Sequence, residues 1–275
     1  MIHVSAGSVP SLGAGRLKAM LALILISSLP SASAATETPF GPESGSAPQA
    51  TMSVSSLRQE IELIPCGLCE NMVDFEDVLG GPDAGTPYDE ILVSGNVSFA
   101  ERLTPQPLSY VEFLDNTYDE LECLASLDAP LTLLPGEANQ NTVVFHSTNL
   151  TENVIAGLGP SGWPDLVSIG EGALALILPT DAAYLGFDIV GAHPEFDNQL
   201  WLCFYDRNAT LIDIVSLEDF NDGCYAFRRS GGEIDIAALS IHNLDYGGIG
   251  YDDFCFGVET TGVEDVDFSR VKSMY

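Results

Sequence analysis

Short apolar runs separated by turn residues fill the chain from Asn71 onward, and this pattern narrows the possible folds more than any other feature. Clusters of Gly, Pro, Asn and Asp close the runs, which is typical of β-strands joined by turns. No long amphipathic helix interrupts them. The predicted strands are Met72–Asp77, Ile91–Phe99, Ser109–Leu114, Thr142–His146, Ala173–Leu178, Tyr184–Val190, Gln199–Tyr205, Thr210–Ser216, Tyr225–Arg228, Ile234–Ile241 and Gly250–Phe256.

These strands lie in one block with neither an internal repeat nor a linker. We therefore predict an all-β fold, a single two-sheet antiparallel β-sandwich with jelly-roll connections. The stretches Thr117–Gln140 and Gly157–Gly172 are predicted to be large loops on this scaffold. Loops of that size commonly carry binding function.

The N-terminus predicts a secretory signal peptide over residues 1–34. Arg16 and Lys18 precede an apolar run, and Ala32-Ser33-Ala34 places cleavage after Ala34. The run is too short to span a bilayer, and no later stretch reaches that length. We expect a secreted protein, extracellular or periplasmic, without a membrane span. Its parts would be a flexible leader at 35–55, a β-sandwich domain with an N-terminal lead-in at 56–258, and a C-terminal tail at 259–275.

The chain is strongly acidic, with 9 Lys and Arg against 40 Asp and Glu and a formal charge of -31. Removal of residues 1–34 takes away two basic residues and no acidic one, which leaves 7 against 40, or -33. Such a surface repels phosphates, so it argues against nucleic-acid binding. Self-repulsion favours a soluble monomer, and divalent cations are suitable counter-charges.

Six cysteines follow the signal peptide, and an even number in an exported protein predicts disulfides. Six cysteines allow 15 pairings, and the sequence selects none of them. A redox or zinc motif at Cys66-Gly67-Leu68-Cys69 is the alternative, but no second such motif and no βαβ pattern accompanies it. The six are Cys66, Cys69, Cys123, Cys203, Cys224 and Cys255.

Four short segments resemble the galactose-binding-domain-like jelly rolls of secreted bacterial proteins. The similarity spans most of residues 71–257, and it implies the sandwich fold more strongly than any function. Members of that group include carbohydrate-binding modules and adhesive modules. The segments are Val73–Glu76, Gly170–Leu176, Leu185–Val190 and Gly247–Phe254.

A calcium ion is the predicted cofactor. Alternation places Asp252 on the same side of the last strand as Phe254 and Phe256, and a core-facing carboxylate needs a partner. The resemblance implies that the first strand lies beside the last and that acids of both hold a structural calcium. Carried over by position, the ligands are Glu76 and Asp252, with Asp77 and Asp253 as substitutes. Ordinary solvated acids at strand ends are the alternative.

An aromatic ring can cover the apolar face of a sugar, and three residues in predicted loops are candidates for this role. Trp163 is the first, because it lies in a turn-rich loop, although a ring that plugs the core is an equal alternative. Tyr246 and Tyr118 are secondary candidates. Trp201 lies in a continuous apolar run and is interpreted as a packing residue.

No catalytic motif is present that the surrounding pattern supports. Ser161 lacks the strand-to-helix context of a nucleophile elbow. His146, His193 and His242 lie far apart in sequence without metal-ligand spacing. We therefore predict a non-enzymatic protein that binds a neutral glycan, because the acidic surface repels anionic ones. The alternative is a structural or adhesive module that binds another protein or a cell-surface component.

Overall fold

The turn-punctuated runs form β-strands throughout the computed structural model, which describes residues 59–82, 84–147 and 152–258. The predicted signal peptide, the leader and the tail lie outside these residues. Two short 3₁₀ helices, Leu166–Ser168 and Pro194–Phe196, are the helical elements of the described part. No helix there is long and apolar enough to cross a membrane.

The strands of the described residues are numbered in chain order. They are β1 Ile61–Ile64, β2 Asn71–Val73, β3 Thr86–Tyr88, β4 Leu92–Ser94, β5 Val97–Ala100, β6 Arg102–Leu103, β7 Leu108–Phe113, β8 Asn116–Leu121, β9 Leu133–Leu134, β10 Thr142–Ser147, β11 Glu152–Leu158, β12 Ile169–Gly172, β13 Leu174–Ala182, β14 Tyr184–Val190, β15 Gln199–Tyr205, β16 Leu211–Glu218, β17 Gly223–Arg229, β18 Ile236–Leu244 and β19 Gly250–Gly257.

Two antiparallel sheets pack face to face, which confirms the predicted two-sheet β-sandwich. The nine-stranded sheet has the order β1-β17-β14-β19-β11-β10-β3, with β12 beside β11 and β2 beside β19. The six-stranded sheet has the order β16-β15-β18-β13-β5-β4. The early strand β2 pairs with the last strand β19, as expected. The jelly-roll description of the connections stays a prediction.

Aromatic rings fill the centre of the sandwich. Phe75, Phe99 and Phe254 meet pairwise with ring centroids 5.2 to 5.9 Å apart. Phe187 extends this group, with its centroid 5.5 Å from that of Phe254. All four rings are fully buried. Such edge and tilted contacts are the favoured geometry of aromatic pairs, so the two sheets are held by specific packing as well as by burial.

A second layer covers the outer face of the six-stranded sheet. Residues 101–134, the cover segment, contain the small β6–β9 sheet and the β7–β8 hairpin. Leu103, Leu127 and Leu133 of this segment pack on outward-facing residues of the sheet, among them Ala175 and Ala238. The disulfide between Cys123 and Cys203 joins the segment to β15.

The cover segment corrects the predicted loop Thr117–Gln140. Leu114 and Asp115 have φ values of 48° and 69°, the left-handed geometry of a tight hairpin turn. The chain therefore turns back at once into β8, where Tyr118 and Asp119 are buried. The Gly157–Gly172 loop is also shorter than predicted, because β11 and β12 occupy its two ends.

The structure predicts one disulfide pattern among the fifteen. Peptide mapping without reduction should recover Cys66–Cys224, Cys69–Cys255 and Cys123–Cys203. Replacement of Cys123 and Cys203 by Ser should lower the free energy of unfolding by about 4 kcal/mol, because their disulfide closes a loop with a sequence separation of 80. Other pairings, or free thiols in the oxidised protein, would contradict the assignment.

Candidate functional site

Trp163 lies half-buried against the outer face of the nine-stranded sheet. Its ring packs on a small cluster of Val143, Ala156 and Leu158. Its indole N–H donates to the carbonyl of Ala84 over 2.8 Å. Through these contacts Trp163 covers part of the outer face of the sheet. The loop that carries Trp163 also forms one wall of a neighbouring cleft.

Tyr118 does not lie in a loop, which corrects the sequence-based placement. It belongs to β8 and has 0% exposure, so its ring is not available as a sugar platform. Its hydroxyl donates to the carbonyl of Asp245 over 2.6 Å. Tyr118 therefore holds the turn at Asp245 in place, and the residue that follows Asp245 is Tyr246.

Tyr246 is exposed and belongs to a group of three rings, here named the end patch, with His193 and Phe196. The ring centroids of Phe196 and Tyr246 are 4.5 Å apart, and that of His193 lies 6.2 Å from Tyr246. Phe196 is 37% exposed and Tyr246 is 42% exposed. Two loops that are distant in sequence thus present a contiguous aromatic surface.

Two carboxylates, the buried Asp245 and the exposed Asp222, hold the loop of His193 and Phe196 in place. One oxygen of Asp245 accepts from the backbone N–H of His193 over 2.8 Å and from the side chain of Asn198 over 2.7 Å. Asp222 accepts from the N–H of Ala192 over 2.7 Å. These hydrogen bonds hold the backbone beneath the end patch in one position.

A cleft of about 360 Å³ adjoins the end patch. Gly191 and Gly247 line it, and they are close in sequence to His193 and Tyr246. Leu166 lines the cleft too, on the loop of Trp163. The two loops approach closely at Gly248, whose φ is 72° and where a Cβ would overlap the carbonyl of Ile169. A side chain at this position would push the cleft walls apart.

A β-bulge changes the face on which Asp252 lies. Asp253 has φ 48°, and the register of β14 with β19 shifts just before Asp188. Tyr251 and Phe254 both join the core as a result. Asp252 instead lies on the outer face, opposite Asp188 in the ladder. The expectation that Asp252 shares the core-facing side with Phe254 is therefore wrong.

The four predicted calcium ligands do not form one coordinating set. The carboxylate of Glu76 accepts from the N–H of Asn153 over 2.8 Å. That of Asp77 accepts from Ser94 and from the N–H of Gly95 in the β4–β5 turn. Among the described residues, no three Asp, Glu, His or Cys side chains are arranged to hold a metal ion. These residues do not fit calcium as a group, and calcium binding stays a prediction of the resemblance.

Five carboxyl groups of the described residues are almost fully removed from water, and three of them, Asp119, Glu171 and Asp252, have a strongly raised pKa. Burial raises the pKa of each of these three to about 7. For Asp252, the neighbouring carboxylates of Glu152 and Asp188 raise the pKa further by repulsion. None of the three lines the cleft beside the end patch.

Trp201 takes part in a second concave surface that the sequence did not reveal. It stacks on His242, with ring centroids 4.9 Å apart and an interplanar angle of 13°. The two line a groove of about 540 Å³ between the β7–β8 hairpin and the six-stranded sheet. Trp201 lies in an apolar run because the rest of its strand is covered on both faces. The strand therefore shows no alternation of apolar and polar residues that could indicate that this ring lines a groove.

Comparison of the chain with protein-family models, with curated proteins and with solved structures found no match.

The buried carboxyl groups predict an unusual pH dependence of stability. Because their folded-state pKa of about 7 lies above the unfolded value near 4, the stability they contribute is complete below about pH 4 and is lost as the pH rises to about 7. Unfolding should therefore require a higher urea concentration at about pH 5 than at about pH 7.5. The free energy of unfolding should be larger at the lower pH by on the order of 1 to 2 kcal/mol per group.

Asp252→Asn should raise the stability at neutral pH and flatten the profile, since the amide can still accept from the N–H of Asp253. The exposed acid Asp128 supplies the matched control, and Asp128→Asn should leave the slope unchanged. A wild-type protein whose stability grows from about pH 5 to about pH 7 would refute the prediction.

Calcium binding has a separate test in thermal melting. An ion that binds only the folded protein at a hundred times its Kd adds about 2.7 kcal/mol, so calcium held as the resemblance implies would raise the Tm after chelator treatment. Because the four acids do not form one coordinating set, we expect the Tm to stay unchanged at millimolar calcium. A rise in the Tm of the wild type that Asp252→Asn abolishes and Asp128→Asn keeps would contradict this expectation.

Proposed function

We propose that the chain is an exported, non-catalytic β-sandwich protein that binds a neutral glycan through the end patch. The observation that carries the proposal is the pair of exposed rings of Phe196 and Tyr246, held 4.5 Å apart beside a cleft. The predicted signal peptide and the three disulfides support export.

Sugars suit this surface because an aromatic ring covers the C–H face of a pyranose while nearby polar groups orient the hydroxyls. His193 contributes a ring nitrogen, and Glu195, whose carboxylate lies 3.2 Å from it, contributes an acceptor. Exposed acids at Glu195 and Asp197 disfavour anionic glycans, so a neutral glycan is the better ligand.

A non-catalytic role is supported by where the perturbed acids lie. A hydrolase would place a carboxyl group with a raised pKa in its cleft, within reach of the substrate. Here Asp119, Glu171 and Asp252 are buried, and none of the described residues that line the cleft beside the end patch is Asp or Glu. The titratable residue among them is His146. The proposal therefore keeps the prediction that the protein is not an enzyme.

A protein-binding role is the second candidate, and one observation favours it. Leu166, at the wall of the same cleft, is 60% exposed, and its neighbour Val167 is 45% exposed. Exposed aliphatic side chains beside aromatic ones are common at protein interfaces. A partner of this kind would contact both sides of the cleft, whereas a glycan would depend on the rings.

A glycan array with wild-type protein and the variant Phe196→Ala/Tyr246→Ala tests the proposal. The wild type should bind neutral glycans, and loss of the two rings should weaken binding by about tenfold or more. The matched control is Tyr110→Ala, which removes another exposed tyrosine, 57% exposed, from the β7–β8 hairpin. This control should bind as the wild type does.

Two results would contradict the glycan proposal. If the wild type binds no glycan on the array, with or without calcium, the protein-binding role is favoured. Equal binding by the wild type and the double variant would show that the end patch is not the site. Turnover of any glycan on the array would overturn the non-catalytic assignment.

A further inference from the structure

The groove on the outer face of the six-stranded sheet, here named the outer groove, shares none of the residues of the end patch. The hairpin side supplies Ser109, Glu120 and Glu122, and the sheet side supplies Trp201, Ile214 and His242. Glu120, Glu122 and Ile214 are exposed. The outer groove thus combines a π surface with two carboxylates that face water.

The stacked pair of Trp201 and His242 forms the aromatic side of the outer groove. His242 is 7% exposed, and its Nδ1 has no hydrogen-bond partner. Burial lowers the pKa of His242 to about 4, so the imidazole is neutral at neutral pH. The pair therefore presents ring surface without positive charge. Ser216, directly opposite Trp201 on β16, is small and leaves room beside the indole.

The carboxylates of the outer groove are free to meet a cationic ligand. Glu120 accepts from the hydroxyl of Ser109 over 3.0 Å, a contact that leaves its charge uncompensated. Among the described residues, no Arg or Lys forms an ion pair with Glu120 or Glu122, and none lines the outer groove. The titratable groups that face the ring of Trp201 are thus two acids and one neutral histidine.

We propose that the outer groove binds an amino sugar through its protonated amine, as part of an amino glycan. The indole of Trp201 would cover the C–H face of the sugar ring, and the ammonium group would lie near the carboxylates of Glu120 and Glu122. The inference takes from the proposed function only that the ligand is a sugar, and it concerns a separate site.

Charge complementarity selects this ligand over the other sugars. An anionic glycan would be repelled by the two carboxylates, and a neutral one would leave their negative charges uncompensated. An amine satisfies the carboxylates and is attracted by the ring face. The outer groove is also open to solvent, so screening by salt should weaken the attraction strongly.

Calorimetric titration with a glucosamine oligomer tests the proposal, with its fully N-acetylated counterpart as the neutral comparison. The glucosamine oligomer should bind at low salt and slightly acid pH, at least about tenfold more tightly than the acetylated one, and added salt should weaken it. Trp201→Ala should lose the binding. Glu120→Gln/Glu122→Gln should lose most of the preference and the salt dependence.

Three controls keep the test decisive. Trp201→Phe retains a ring, so it should keep part of the binding and show that loss in Trp201→Ala is not a folding defect. Thermal melting of each variant checks the fold directly. Tyr110→Ala, which lies in neither site, should bind the glucosamine oligomer as the wild type does. The titrations are repeated in the Phe196→Ala/Tyr246→Ala background, where the preference for the glucosamine oligomer should persist because the end patch no longer contributes.

Four outcomes would overturn the proposal. The first is equal affinity for the two oligomers, and the second is no binding of either. The third is unchanged binding of the glucosamine oligomer in folded Trp201→Ala. The fourth is binding of a lysine oligomer with the same affinity and the same loss in Trp201→Ala, which would make the occupant a basic peptide.

Discussion

Strand β18 is buried on both faces, and the arrangement of the outer layer follows from this constraint. One face packs into the core through Leu239 and Ile241. The other carries Ala238 and Ser240, which a bare sheet would expose to water. A two-layer sandwich covers only one face of each sheet, so the chain must supply a third layer over the six-stranded sheet. The cover segment is that layer.

Polar contacts specify where the cover segment lies. The side chain of Gln106 donates to the hydroxyl of Ser240 over 2.9 Å and accepts from the N–H of Leu103 over 3.0 Å. A buried Ser without a partner would destabilise the fold, so this contact fixes the register of the segment on the sheet. Small residues such as Ala100 and Ala175 let the segment approach closely. Where the β7–β8 hairpin reaches the stacked Trp201 and His242, the two layers separate and the outer groove opens.

The periodic parts of the fold were predictable from the sequence, and the exceptions have local causes. The strands of both sheets follow from apolar runs between turns. Asp252 was placed on the wrong face because a single residue, Asp253 with φ 48°, breaks the alternation on which the argument rested.

Tyr118 was placed in a loop because the two-residue hairpin turn Leu114-Asp115 contains no glycine to mark it in the sequence. The role of Trp201 was beyond sequence reasoning. The apolar run around Trp201 would look the same whether the cover segment buried the ring or ended beside it. Only the path of the cover segment, which is distant in sequence, determines whether the ring is accessible. The candidate site depends in this way on contacts between loops, which periodicity does not encode. Tyr246 was named as a candidate, but its partners Phe196 and His193 lie on a loop that only the fold brings near.

The excess of acids does not by itself choose a ligand, because the effect of each carboxylate depends on what already engages it. Charges in water are screened within about 8 Å at physiological salt, so the acids close to a site matter more than the formal net charge of -31. Around the end patch the carboxylates are largely engaged: Asp245 and Asp222 accept backbone N–H groups, and Glu195 meets His193. Within the part of the chain that the structure describes, the carboxylate of Glu120 accepts only from the hydroxyl of Ser109, and no Arg or Lys pairs with Glu120 or Glu122. One strongly acidic protein can therefore present a surface suited to neutral sugars at one site and a surface that favours amines at another.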